Sequence, residues 1–135
     1  MTDFKFAKEC SEKGIEFKGC KFYLVKLGRY DNSEDFYWSP CILLGDYFYE
    51  FPIFRRVDPN EIIQYYKNPS EEELSKRLPN CLYEKEIDSY LDISICFHNE
   101  KFYLYYDTKE YAEGKTTKEC YQKALLKLND MELLK

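Results

Sequence analysis

Lysine and arginine are absent from the segment between Asp31 and Glu50, although the chain has 20 of them. The segment is instead rich in carboxylates and aromatic rings. These are Asp31, Glu34, Asp35, Asp46 and Glu50, with Phe36, Tyr37, Trp38, Tyr47, Phe48 and Tyr49. Because rings supply binding area and carboxylates select a cationic partner, this composition predicts a recognition surface. The candidate partner-binding residues are Asp31, Glu34, Asp35, Tyr37, Trp38, Asp46, Tyr47, Tyr49 and Glu50.

Motifs for metal, cofactor or nucleotide chemistry are also lacking. His98 is the one histidine, which excludes a zinc site built on a histidine pair, and the six cysteines have no Cys-x-x-Cys spacing. The five glycines are isolated and form no phosphate-binding loop. We therefore expect no catalytic residues, no metal and no cofactor. A hydrolase that uses a cysteine with His98, or a pair of carboxylates, is the enzymatic alternative.

The chain begins Met-Thr-Asp-Phe-Lys, which does not resemble a signal peptide, and its longest uncharged stretches are too short to cross a bilayer. These absences predict a cytoplasmic protein that does not bind a membrane. In such a compartment the six cysteines are expected to be free thiols and mostly buried. They are Cys10, Cys20, Cys41, Cys81, Cys96 and Cys120.

Length and composition favour one domain over residues 1–135. A chain of 135 residues with 44% hydrophobic and 19% aromatic residues is long and apolar enough to bury its own core. The net charge of −5 opposes direct binding of nucleic acid, which relies on lysine and arginine, and makes a basic protein the expected partner.

The first half of the chain alternates helix signals with strand signals. Thr2 or Asp3 can cap a short helix that ends at Gly14. Residues 21–27 are typical of a strand, residues 28–35 of a polar loop, and residues 36–44 and 47–51 of two strands joined by a tight turn at Gly45. Pro40 places its strand at a sheet edge or a bulge. Asp58, followed by proline, predicts a helix over residues 58–66.

The second half predicts two helices around a hairpin. Ser70 begins a short helix that ends before Pro79, and residues 91–97 and 101–107 form the hairpin. Alternation along the second strand predicts aromatic rings on both faces of its sheet. Thr116 caps a last helix with an apolar stripe. The predicted class is α+β, a mostly antiparallel sheet with short helices at both ends and in the middle.

One resemblance concerns the residues from Asp92 to Leu128. The hairpin sequence Asp-Ile-Ser-Ile-Cys-Phe-His-Asn-Glu-Lys-Phe-Tyr-Leu-Tyr-Tyr, the following Glu-Gly-Lys-Thr at 113–116 and the helix from Cys120 resemble the closing hairpin and helix of small phage-borne αβ-sandwich proteins. The resemblance implies a phage or mobile-element setting in a bacterial host, and it assigns no functional residues.

Together these features predict an acidic inhibitor that blocks the basic groove of a nucleic-acid-handling enzyme. Successive side chains of a strand point to opposite faces, so some rings of residues 36–38 and 47–49 should be exposed unless both faces are covered. One alternative is a nucleotide-binding protein with an aromatic pocket and Arg55, Arg56 and Lys101 as phosphate partners. Another is a phage structural or assembly protein, in which exposed rings pack against other copies.

Overall fold

The computed structural model describes residues 1–29 and 32–134, without the side chains of residues 29 and 32–35. Over these residues it contains three α-helices and two antiparallel sheets, which confirms the predicted α+β class. The chain divides into two compact units, Thr2–Pro69 and Ser70–Lys135, and Met1 groups with the second. We call them the N-terminal and C-terminal units. The single domain expected over residues 1–135 stays a prediction.

The N-terminal unit is a five-stranded sheet preceded by one helix. Its elements are α1 (Asp3–Lys13), β1 (Phe22–Arg29), β2 (Asn32–Leu44), β3 (Tyr47–Glu50), β4 (Arg55–Arg56), a 3-10 turn (Pro59–Glu61) and β5 (Ile62–Lys67), in the sheet order β4-β3-β2-β1-β5. The predicted caps of α1 are confirmed. The Thr2 side chain accepts a hydrogen bond from the Lys5 backbone N–H at 3.1 Å, and Gly14 has a φ of 70°.

Strand pairing assigns the side chains of this sheet to two faces. The inner face carries the buried core, formed by Tyr23, Val25, Leu27, Cys41, Phe48 and Val57. The rings of Phe48 in β3 and Tyr65 in β5 are 5.4 Å apart, although β2 and β1 lie between these strands. In a flat sheet the two strands would be about 14 Å apart, so the sheet curls towards its inner face. The opposite, outer face carries Trp38, whose ring lies 4.9 Å from Phe4 of α1.

Two sequence predictions for β2 are corrected. The predicted loop over residues 28–35 is wrong at both ends, because Gly28 belongs to β1 and β2 begins at Asn32. Pro40 does not lie in an edge strand, since β2 pairs with both β1 and β3. Its carbonyl accepts a hydrogen bond from the Phe51 N–H at 3.0 Å, just beyond the end of β3. The missing N–H of Pro40 points to that same side, so the proline removes no hydrogen bond to β1.

The helix predicted over residues 58–66 is also wrong. Asp58 does cap a turn, because its side chain accepts a hydrogen bond from the Asn60 backbone N–H at 2.9 Å. The turn ends at Glu61, and the chain continues as β5, paired with β1. The sequence Ile-Ile-Gln-Tyr-Tyr is rich in β-branched and aromatic residues, which favour a strand once a partner strand is available.

The C-terminal unit is a four-stranded sheet with two helices. Its elements are α2 (Glu71–Arg77), β6 (Cys81–Glu84), β7 (Ser89–His98), β8 (Lys101–Tyr106), β9 (Lys109–Gly114) and α3 (Thr117–Asp130), with the strands in sequence order. The predicted helices and the β7–β8 hairpin are confirmed. Leu104 and Tyr106 are fully buried on one face, and the thiol of Cys120 in α3 donates a hydrogen bond to the Phe102 carbonyl at 3.1 Å.

The other face of this sheet is exposed, and we call it the open face. Its side chains alternate with the buried ones along each strand. They are Cys81, Tyr83, Tyr90, Asp92, Ser94, Cys96, His98, Lys101, Tyr103, Tyr105, Glu110 and Glu113. Tyr103 and Tyr105 are half-buried, whereas Ser94, Cys96 and both glutamates are exposed. The predicted placement of aromatic rings on both faces of the hairpin is therefore confirmed.

All six cysteines are free thiols, and four of them are buried. Burial, the largest effect, raises the pKa of Cys10 to about 12 and that of Cys41 to about 11. Cys81 and Cys96 are exposed. In the described part of the chain, no helix has the length and apolar character needed to span a membrane.

The capping box of α2 provides a test of the local fold. The Ser70 side chain accepts a hydrogen bond from the Glu73 backbone N–H at 3.2 Å, and the Glu73 carboxylate accepts one from the Ser70 backbone N–H at 3.0 Å. We expect Ser70→Ala to lower the free energy of unfolding by about 1 kcal/mol. Urea denaturation followed by circular dichroism measures the loss. Ser75→Ala in the same helix is the control and should change stability by less than about 0.5 kcal/mol; equal losses would contradict the capping role.

Candidate functional site

An exposed apolar surface lies on the outer face of the N-terminal sheet, at the end of β2 that follows Trp38 in the sequence. We call it the outer-face patch. It consists of Phe22, Ile42, Leu44, Tyr47, Tyr49, Phe51 and Phe54. Cross-strand pairing places Ile42 beside both Phe22 and Tyr49, and it places Leu44 beside Tyr47. These residues therefore form a continuous surface.

The patch remains accessible although its residues are large and apolar. Leu44 is 45% exposed, Tyr47 40% and Phe54 55%. The Phe51 ring stacks on Phe22 at 5.8 Å between centroids and contacts Phe54 at 5.2 Å, which extends the surface past the end of β3. Ile53, in the connection between β3 and β4, is 72% exposed. Contiguous exposed apolar surface of this kind is typical of a site that another molecule covers.

The predicted site residues of the outer face are only partly brought together. Tyr47 and Tyr49 lie in the outer-face patch, and Asp46 is exposed in the turn that joins β2 to β3. Trp38 lies on the same face but is half-buried, stacked on Tyr66 with 5.3 Å between ring centroids. Its ring helps to hold α1 and β5 on the sheet, so a structural role accounts for it.

Tyr37 and Glu50 lie on the inner face, away from Tyr47 and Tyr49. Glu50 is 6% exposed, and its carboxylate accepts a hydrogen bond from Arg55 Nε at 2.7 Å and another from the Tyr37 hydroxyl at 3.0 Å. Arg55 also donates to Glu61 at 3.2 Å. The structure thus uses Glu50 to bind an arginine of its own chain.

Hydrogen bonds keep Glu50 ionised at neutral pH despite its burial. Burial by itself would raise the pKa of Glu50, but hydrogen bonds from Arg55, Ser39 and Tyr37 outweigh burial and leave the pKa below its ordinary value. Burial, and then the hydrogen bond to Glu50, raise the pKa of Tyr37. Hydrogen bonds to Glu50 and Glu61 raise the pKa of Arg55. The group is therefore a charged, internally satisfied cluster.

The structure does not describe the side chains of the remaining predicted carboxylates. Asp31 is outside the described residues, and only the backbones of Glu34 and Asp35, in β2, are described. Their contribution to a partner-binding surface stays a prediction.

Neighbouring strands bring cations to the segment between Asp31 and Glu50 that its own sequence does not contain. Lys26 Nζ of β1 lies 3.8 Å from the centroid of the Phe36 ring, and the Arg56 guanidinium of β4 lies 4.6 Å from that of Tyr47. Both contacts have the geometry of a cation–π interaction. The segment between Asp31 and Glu50 therefore lacks lysine and arginine in the sequence but not in space, because strand pairing places Lys26 and Arg56 against two of its rings. The signal available in the sequence was the adjacent pair of arginines that follows β3.

A groove of about 340 Å³ lies in the N-terminal unit, between the end of α1 and β5. Its lining includes the rings of Phe17, Tyr23, Tyr65 and Tyr66, and the Lys67 ammonium. Lys67 Nζ donates to the Phe17 carbonyl at 3.2 Å and to Glu16 at 3.4 Å. Arg55 and Arg56, which the sequence offered as phosphate partners, are not among the groove residues.

Two of the residues considered for cysteine-based hydrolysis, Cys96 and His98, lie on the open face of the C-terminal sheet. His98 pairs with Lys101 at the end of the β7–β8 hairpin and is exposed. Cys96, two positions earlier in the strand, shares its face and is also exposed. Among the described residues, no group of three or more histidines, cysteines and carboxylates could hold a metal ion.

Comparison with known proteins assigns no family. No family model matches the sequence, and no curated protein or solved structure matches it either. The resemblance of residues 92–128 to phage-borne αβ-sandwich proteins therefore stays a prediction.

The Glu50 cluster predicts how stability depends on pH. We expect Glu50→Gln to lower the free energy of unfolding by about 1.5–3 kcal/mol at pH 7, because charge-assisted hydrogen bonds are lost. A carboxylate whose pKa is lowered by folding stabilises the protein fully above its unfolded pKa, near 4.5 for glutamate, and loses that effect as the pH falls through the folded pKa. The difference between the two proteins should therefore narrow below pH 4.5.

Urea denaturation at pH 7 and at several values below pH 4.5 measures this difference. Glu9→Gln is the matched control, because Glu9 forms a surface pair with Lys13 at 4.0 Å in α1. That substitution should change stability by less than about 1 kcal/mol. A loss for Glu50→Gln that is independent of pH would show that the ionised carboxylate does not provide the stabilisation.

Proposed function

We propose that this chain is an acidic inhibitory binding protein that works by occupying the surface of another protein. The outer-face patch carries this proposal. It exposes rings and aliphatic side chains that the sheet does not need for its core, and buried aromatic anchors are the usual centre of a protein interface. The chain performs no chemistry in this function.

The proposed target is the basic groove of a nucleic-acid-handling enzyme. The net charge of −5 attracts a cationic surface and repels phosphates, so the chain would compete with nucleic acid for the groove. Asp46 lies at the edge of the outer-face patch, where a rim charge speeds encounter. A phage counter-defence protein of the anti-CRISPR kind and an immunity protein paired with a nuclease toxin both work in this way.

Truncation of rings in the outer-face patch tests the binding mode. We expect the double substitution Tyr47→Ala and Phe54→Ala to raise the Kd for the target at least about tenfold, mainly through faster dissociation, because it removes apolar anchors. The target is obtained by affinity capture from the host lysate, and its kinetics are measured by surface plasmon resonance. The same target should lose its binding of a labelled oligonucleotide when the unmodified protein is added.

Tyr65→Ala is the control for the ring substitutions, since Tyr65 is 54% exposed but lies in the groove and not in the outer-face patch. It should leave the Kd for the target unchanged. Binding that survives the double substitution would refute the outer-face patch as the binding surface, and a target that still binds its oligonucleotide in the presence of the protein would refute the inhibitory function.

The carboxylates predicted for partner binding along β2 and in the β2–β3 turn have a separate, kinetic effect in this proposal. Replacing Glu34, Asp35 and Asp46 together by lysine should slow association at low salt and weaken its salt dependence, because steering of a cationic target is lost. Association rates at several salt concentrations measure the effect. The control variant replaces Glu9, Glu12 and Glu72, which lie on helices α1 and α2, by lysine and so makes the same change in net charge. Equal slowing by both sets would contradict a role for the hairpin carboxylates.

The groove beside β5 supports a second candidate, a small-ligand binding protein. Four aromatic rings and one ammonium line a cavity large enough for a nucleobase. Nucleotide released on denaturation of the purified protein, with binding lost in Tyr65→Ala and retained in Tyr47→Ala, would favour this candidate over inhibition.

A further inference from the structure

The acidic character of the chain is concentrated in its C-terminal unit. Residues 2–69 have 11 aspartates and glutamates against 10 lysines and arginines, whereas residues 70–135 have 14 against 10. The open face continues this imbalance, because it carries the carboxylates of Asp92, Glu110 and Glu113 but only one lysine, Lys101. Among the described residues, no salt bridge is formed by these three carboxylates.

Register places two of these carboxylates directly beside tyrosine rings. Glu113 of β9 is paired with Tyr103 of β8, and Glu110 is paired with Tyr105. Directly opposite residues have Cβ atoms about 5 Å apart, so each tyrosine and its glutamate form one compact unit of the surface. Burial, followed by the neighbouring Cys96 and Glu110, raises the pKa of Tyr105, in agreement with this proximity.

The two tyrosine–glutamate pairs have the spacing of an extended peptide. Tyr103 and Tyr105 are alternate residues of β8 with ring centroids 6.5 Å apart, and a bulge in β9 between Glu110 and Glu113 keeps one glutamate opposite each ring. On the other side of the tyrosines, β7 presents the small side chains of Ser94 and Cys96. The open face thus has a tyrosine ridge with carboxylates on one flank and a shallow, exposed strip on the other.

We propose that the open face binds an extended protein segment with basic residues at alternate positions. Each guanidinium or ammonium group lies against a tyrosine ring and forms an ion pair with the glutamate beside it. At each position the cation forms a cation–π interaction with the tyrosine ring and an ion pair with the glutamate, so its attraction to the surface is stronger than to either group alone. The intervening side chains of the segment point away from the sheet. The surface belongs to the C-terminal unit, and its test does not involve the outer-face patch.

Carboxylates at these positions select against nucleic acid. Open sheet faces with aromatic residues can stack bases, but such proteins surround the rings with positive charge to hold the phosphates. Here the side chains directly opposite both rings on β9 are anionic. The charge of the surface therefore favours a cationic peptide over an oligonucleotide.

Titration of the whole protein with a short peptide tests the proposal. The probe is a seven-residue peptide, Gly-Ser-Arg-Ser-Arg-Ser-Gly, and the comparison peptide has the same composition with its two arginines adjacent. Nuclear magnetic resonance should show saturable shifts of the Tyr103 and Tyr105 ring signals, with a lower Kd for the alternate spacing. Replacing both Glu110 and Glu113 by glutamine should raise that Kd at least about fivefold, because two exposed ion pairs are lost.

The matched control replaces Glu12 and Glu72 by glutamine, which makes the same change in net charge on helices α1 and α2. It should leave the Kd within about twofold, and circular dichroism checks that both variants are folded. If both variants raised the Kd for the peptide equally, general charge attraction would explain the binding and the proposal would be overturned. The proposal also fails if the two peptides bind equally, if neither shifts the ring signals, or if an oligonucleotide binds there more tightly.

Discussion

Successive side chains of a strand point to opposite faces of its sheet, and in β2 and β3 both sets include large apolar groups. Phe48 enters the curled inner core with Tyr23, so its neighbours Tyr47 and Tyr49 must lie on the outer face. Helix α1 covers only part of that face, where Phe4 meets Trp38. The exposed outer-face patch is therefore a geometric consequence of the strand sequences, and the proposed binding function depends on it.

Local signals predicted the elements whose formation is decided locally. The caps at Thr2, Ser70 and Thr116 satisfy helix N–H groups within a few residues, and the turn at Gly45 needs only a positive φ. The segment after Asp58 carries an equally good cap, but pairing with β1 outweighs it and gives a strand. Such long-range pairing is not visible in a short sequence window, which explains why this helix prediction failed.

The candidate site shows the same division between local and long-range information. Alternation along the strands correctly predicted that some rings would be exposed, because the argument needs only the period of a strand. The charges could not be predicted in this way. Arg55 and Arg56 follow β3 in the sequence, yet strand pairing places them against Glu50 and Tyr47. For the same reason the register of β8 and β9, which puts a glutamate beside each of two tyrosines, was not found from the sequence.

The uneven burial of the thiols makes the open face chemically addressable. Under mild conditions a maleimide dye reacts with accessible thiolates, and burial withholds Cys10, Cys20, Cys41 and Cys120 from it. Cys96 lies directly opposite Tyr103, so a fluorophore attached there would report any molecule that settles on this sheet. The unmodified chain thus carries two attachment points for a spectroscopic reporter on the open face, Cys81 and Cys96, and replacing Cys81 by serine leaves the one opposite Tyr103.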